Sequence, residues 1–217
     1  HWCDYYIKAF QSFKHGHRCD VCLLEYPGYA SRPGAPSEES LVNAAVEAID
    51  ELKAQDHLKS VRPLKTFLLG ESIGAAVAAQ AAVRRPDDVA GMIFIAPFNN
   101  LADLGASHMP ILPVQLLLKD RYASDEALKN YHGAIAFLIA GRDEVIPSRF
   151  TQKLFDSYPG PKKLWTQPSA THNTLNFDPA MPFWKEMGEY LIQNSGARSQ
   201  KLEARGQTGC SPGLRPV

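Results

Sequence analysis

A serine, an aspartate and a histidine carry the chemistry open to this sequence. Ser72 lies in Gly70-Glu71-Ser72-Ile73-Gly74, a G-x-S-x-G arrangement between the apolar run "TFLL" and an alanine-rich stretch. A strand that turns sharply into a helix needs small residues two positions either side of the turn, because side chains there would crowd the backbone. The helix start offers unpaired N–H groups and positive potential where negative charge would develop. Asp143 follows an apolar run in "AGRDEVIP", and His172 falls in "SATHNTL" after a further run. A serine hydroxyl becomes a nucleophile when a base takes its proton, and that base needs an acid to orient it and stabilise its cationic form. Ser72, His172 and Asp143 can fill these roles. Each also has a plainer reading, as a helix cap, a solvated side chain and a turn residue. Their joint placement after strand ends favours the catalytic one. Glu144 is the alternative acid, but Asp143 is shorter and nearer its strand end.

The elements that must position these residues are legible as periodicities. Residues 2–13 set Trp2, Tyr6, Phe10 and Phe13 near helical spacing. "CDVCLLEYPGYA" reads as a buried strand that enters a loop at Pro27 and Gly28. Ser37 can cap a helix that begins with Glu38 and Glu39 and runs to about residue 55, with Leu41, Ala45, Ala48 and Leu52 on one face. Further strands are expected at 65–70, 91–98, 134–141 and 162–167, which makes five in all. Helices are expected at 72–84, stopped by Pro86, at 147–158, and at 182–193 with Phe183, Met187, Tyr190 and Leu191 facing inward. The strands are continuously apolar and alternate with helices. That pattern predicts an α/β fold: a mostly parallel sheet flanked by helices on both faces. In such a sheet, ligands sit beyond the carboxyl ends of the strands, where all three candidate residues fall. Residues 1–194 read as one domain with a short cap region at about 99–132. Residues 195–217 have few large apolar side chains and read as a disordered tail.

Composition narrows the function. The 217 residues are 45% hydrophobic, enough for one domain with a sizeable core. Lys plus Arg and Asp plus Glu number 23 each, so no net charge draws the chain to nucleic acid. No apolar run approaches the roughly 18 residues of a transmembrane helix. The chain starts at His1, so the lack of a visible signal peptide says little. Cys3, Cys19, Cys22 and Cys210 are too few for a disulfide scaffold and read as reduced thiols of a cytoplasmic protein. "HGHRCDVC" gathers His15, His17, Cys19 and Cys22, but in a strand the odd offset puts the two thiols on opposite faces, so no metal is expected. No phosphate loop is present, and no cofactor is implied. Around 108–122, Met109, Ile111, Leu112 and Leu116 could line an acyl-binding groove or could pack as core. On the groove reading, Met109 and Leu112 are candidate substrate-binding residues.

The stretches "EYPGYASRPGAPSEESL", "LLGESIGAAVAAQAAVRRPDDVAGMIFIAPF", "LPVQLLLKDRYAS" and "FLIAGRDEVIP" resemble the α/β-hydrolase superfamily over residues 2–193. The likeness is greatest to its depalmitoylase-like and lysophospholipase-like branch. That branch often reads D-Y-R-G-Y-G in the first stretch, from which Pro27 and Ala30 depart. The resemblance implies Ser72 as nucleophile, Asp143 as acid and His172 as base, in that chain order. It implies hydrolysis of an ester, thioester or amide through an acyl-enzyme, on a small-molecule or acyl ester substrate. Family members carry about three strands before the first helix seen here, and the loop after the third supplies one oxyanion donor. The backbone N–H of Ile73 would be the remaining donor. Losing one costs about 3–4 kcal/mol of transition-state stabilisation. The missing third strand would lie between "VCLLEY" and "TFLLG", which must close the gap or leave unpaired edges. The sequence thus reads as a fragment of a longer hydrolase, with weak activity and poor solubility expected beside a longer chain. The alternatives are a non-catalytic binding or scaffold protein on the same fold, or an inactive fragment of a longer hydrolase.

Overall fold

The computed structural model describes residues 4–11, 19–59 and 65–195. Its elements in chain order are α1 (Asp4–Gln11), α2 (Glu38–Lys59), β1 (Thr66–Glu71), α3 (Ile73–Arg84), β2 (Val89–Ile95), α4 (Leu101–His108), α5 (Val114–Leu117), α6 (Ser124–Leu128), β3 (Ala134–Ala140), α7 (Ser148–Ser157), β4 (Lys162–Gln167) and α8 (Pro182–Asn194). The four strands form one parallel sheet in the order β1-β2-β3-β4. Every connection between neighbours crosses over through helices, as a parallel pair requires.

The apolar runs of β2 and β3 are continuous because both faces of the sheet are covered there. Ile93, Ile95, Ala136 and Leu138 point to one face, against Tyr6 and Ala9 of α1 and Trp184 and Met187 of α8. Met92, Phe94, Ile135 and Phe137 alternate to the other, against the alanines of α3, Ile49 of α2 and Leu154 of α7. This is the period of two that strand geometry dictates. Phe183, Met187 and Leu191 turn inward as their spacing predicts. Trp184 joins them, while Tyr190 stays partly exposed with its ring 6.0 Å from that of Trp165.

Helix α2 opens on a reciprocal cap. The Ser40 N–H donates to Ser37 Oγ at 3.1 Å, and the Ser37 N–H donates to Ser40 Oγ at 2.9 Å. Two donors that the first turn leaves orphaned are satisfied together.

The first of the five expected strands, in "CDVCLLEY", does not form. Residues 19–26 adopt no regular structure, and Leu23 and Leu24 are 48% and 37% exposed. Among the described residues β1 therefore pairs with β2 alone. Apolar continuity marks what a segment can bury, but a strand exists only where its N–H and C=O groups meet a partner ladder. The parity argument that set Cys19 and Cys22 on opposite faces of a strand falls with it; both are exposed free thiols. Cys3, Cys210, Trp2, Phe13, His15, His17 and the expected tail lie outside the described residues, Ser195 excepted.

Candidate active site

Ser72 stands where β1 becomes α3. Its N–H still donates to the Ile95 carbonyl at 2.9 Å, one step past the ladder, and its own carbonyl accepts the Ala75 N–H at 3.0 Å. Between those bonds the backbone sits at φ 53°, ψ −119°. A non-glycine residue there costs roughly 1–3 kcal/mol, so strand and helix hold it against its preference. The hydroxyl makes no capping bond to α3, so the helix-cap reading does not describe it. Gly70 is obligatory, because a Cβ there would lie 2.3 Å from the Gly74 carbonyl oxygen. Gly74 is not, because its Cβ would meet only the Tyr26 hydroxyl at an ordinary 3.7 Å.

Asp143 and His172 are brought together. The Asp143 side chain is 2% exposed and that of His172 is 14% exposed. Asp143 Oδ2 lies 2.7 Å from His172 Nδ1, while Oδ1 accepts the N–H groups of Val145 at 3.0 Å and Ile146 at 2.7 Å. Oδ1 thus makes the turn that the turn-residue reading expects, while Oδ2 faces the imidazole. Glu144, the alternative acid, is exposed. His172 rides a tight turn in which Thr174 Oγ1 accepts the Thr171 N–H at 2.8 Å. With a carboxylate at Nδ1, the ring proton sits there and the lone pair is on Nε2. The hydrogen bond to Asp143 raises the His172 pKa above its ordinary value; partial burial opposes the rise, and the charges of Asp143 and Glu71 reinforce it. Ser72 Oγ and the imidazole form no hydrogen bond. Such contacts are often long in substrate-free sites and tighten in the complex.

The cap candidates are not core. Met109, Ile111 and Leu112 are 47%, 95% and 51% exposed, and Leu116 is exposed as well. The segment is anchored to the loop that carries Asp143, with His108 Nε2 2.9 Å from the Val145 carbonyl oxygen. The sequence reading missed this histidine, and it missed Glu71 and Tyr6, whose hydroxyl donates to Glu71 Oε2 at 2.6 Å. Their only signal was a charged residue inside the G-x-S-x-G turn. Among the described residues no cluster of three or more His, Cys, Asp or Glu could hold a metal ion.

Solved structures share this architecture. Est1E of Butyrivibrio proteoclasticus with ferulic acid bound is 15% identical with a TM-score of 0.62, over 78% of this chain and 76% of that one. The Pyrococcus furiosus esterase Pf2001 is 17% identical with a TM-score of 0.63, over 90% of this chain and 79% of that one. At such identities the likeness shows the fold, and the fold is that of the α/β-hydrolases. Sequence narrows it further: residues 5–126 match the family described as serine aminopeptidase, S33, and the chain belongs to that family. An uncharacterised protein of Mycobacterium tuberculosis is 36% identical over 159 residues, covering 73% of this chain and 55% of that protein. The α/β-hydrolase domain-containing protein WAV2 of Arabidopsis thaliana is 23% identical over 151 residues, 64% of this chain and 48% of its own. An uncharacterised membrane protein of Saccharomyces cerevisiae is 27% identical over 193 residues, 87% of this chain and 66% of its own. The chain thus spans about half the length of the first two of these relatives. Among the described residues no helix is long and apolar enough to cross a membrane.

Proposed function

We propose that this hydrolase-family chain is a serine hydrolase that cleaves a carboxylic ester, thioester or amide through an acyl-enzyme on Ser72. The observation that carries the reading is the 2.7 Å hydrogen bond between His172 Nδ1 and the buried Asp143 carboxylate. It leaves Nε2 as the base. Ser72 gives its proton to His172 Nε2 as Oγ bonds to the substrate carbonyl carbon. The carbonyl electron pair moves to oxygen, and the N–H of Ile73, first residue of α3, donates to that oxyanion. The tetrahedral species collapses, the leaving group departs with the proton from His172, and water repeats the cycle on the acyl-serine. The exposed apolar side chains of Met109 and Leu112, on a segment anchored beside the acid, suit an acyl chain, so acyl esters are the substrate class favoured.

The test is fluorophosphonate labelling of the intact chain, with p-nitrophenyl esters of increasing acyl length as substrates. Labelling lost in Ser72→Ala, with turnover rising with acyl length, is the expected result. A chain that neither labels nor turns over any ester is instead a binding protein on this fold.

A further inference from the structure

Helix α1 reaches both halves of the site. Tyr6 Oη donates to Glu71 Oε2 at 2.6 Å, and Tyr5 Oη lies 3.5 Å from the same oxygen. Glu71 is the residue before Ser72. The Tyr5 ring also stacks on Phe177 at 4.8 Å with 4° between planes, and Phe177 belongs to the loop that carries His172. Tyr6 meets Trp184 of α8 edge-on at 5.8 Å. Two adjacent tyrosines therefore tie the turn holding the serine to the loop holding the histidine. Burial and the Glu71 charge push the Tyr6 pKa far up, so its phenol stays a donor to the carboxylate. Asp143 and Glu71 are the charged groups that act on the imidazole, and Glu71 in turn faces Tyr5 and Tyr6.

Resting on the serine-hydrolase reading above, we propose that Glu71, gripped by Tyr6, is a positioning residue of the site. It holds a second carboxylate within electrostatic reach of His172 and locks the serine turn to the histidine loop through α1. Asp143 fixes the ring through a hydrogen bond; Glu71 acts through space, stabilising the imidazolium that forms as Ser72 loses its proton. The same charge hinders the resting imidazole from being neutral at low pH. The two effects pull the rate in opposite directions on the two sides of the His172 midpoint.

The experiment is a titration of the His172 ring by NMR on the full chain, alongside fluorophosphonate labelling across pH, for wild type, Glu71→Gln, Glu71→Asp and Tyr6→Phe. Gln is isosteric and still accepts from Tyr6. In Glu71→Gln the midpoint shifts to lower pH; labelling is faster than wild type below the wild-type midpoint and slower on the alkaline plateau. Glu71→Asp restores the midpoint toward wild type. Tyr6→Phe loses plateau rate while its midpoint stays above that of Glu71→Gln. An unchanged midpoint in Glu71→Gln, or a rate lowered by one factor at every pH, overturns the proposal, as does a Tyr6→Phe plateau equal to wild type. Wild-type protein that never labels counts against the hydrolase reading, whereas the ring titration still judges Glu71.

Discussion

The Arg142 N–H donates to the Ala170 carbonyl at 2.8 Å, and this bond stitches the loop after β3 to the loop after β4. One loop carries Asp143 and the other His172, so their meeting is imposed by backbone before any side chain is placed. The Gly141 N–H, bonded to the Gln167 carbonyl at 2.9 Å, makes the seam continuous with the ladder.

The seam depends on Gly141 having no side chain. A Cβ there would lie 2.4 Å from the Pro168 carbonyl oxygen, a backbone atom that cannot step aside alone. Gly141→Ala is expected to push the loops apart and cost about 10²-fold in ester turnover, the scale of an ångström of misplacement. The His172 midpoint should fall toward the ordinary histidine value in the same variant. Unchanged turnover and midpoint would show that the loops adjust independently.

The two glycines of the serine turn should behave oppositely. Gly70→Ala collides with the backbone of Gly74, so the turn must open; lost folding or a loss above about 4 kcal/mol is expected. Gly74→Ala places a methyl 3.7 Å from the Tyr26 hydroxyl, inside a helix where alanine is favoured over glycine by about 1 kcal/mol. A melting temperature equal to or above wild type is expected for it, and a fall would mean that Tyr26 tolerates no neighbour.

This pair also shows how far the sequence could be read. The G-x-S-x-G spacing located the turn correctly, but pattern alone gave both glycines one reason when only Gly70 has it. The two core strands β2 and β3 were legible because burial on both faces writes itself as an unbroken apolar run, whereas β4, "KKLWTQ", is partly exposed and has only Leu164 and Trp165 as apolar residues. "VCLLEY" carries the same run and forms no strand, because pairing depends on a neighbour that no run of its own residues can supply. Asp143 and His172 were legible as positions after strand ends. The Glu71–Tyr6 bond was not, since no periodicity links residues 65 apart.

The two oxygens of Asp143 allow its two jobs to be separated. Asp143→Asn can keep Oδ1 accepting from Val145 and Ile146, but it sets an amide N–H against His172 Nδ1 and favours the wrong tautomer. Activity is expected to fall about 10³–10⁴-fold with little loss of stability. Asp143→Ala also abandons the Ile146 N–H, which is buried, at a further cost of about 1–3 kcal/mol in chemical denaturation. Equal stability of the two variants would show that the N–H groups find other partners.

His172 should make stability and activity run against each other with pH. Its pKa is raised in the folded chain, chiefly by the hydrogen bond to Asp143, above an unfolded value of about 6.5. A group with a raised folded pKa contributes stability that is fully present below the unfolded value and is lost as pH rises through the folded one. In the proposed mechanism, however, the base is the neutral imidazole, which appears over that same rise. Between about pH 6.5 and the folded midpoint and beyond, turnover should climb while the stability margin of wild type over Asp143→Asn shrinks. Denaturant midpoints of both proteins across pH, plotted with kcat/KM of wild type, give the comparison directly. A margin that stays constant across the window would mean that His172 titrates alike in the folded and unfolded chain, and the carboxylate beside it would then have no hold on its proton.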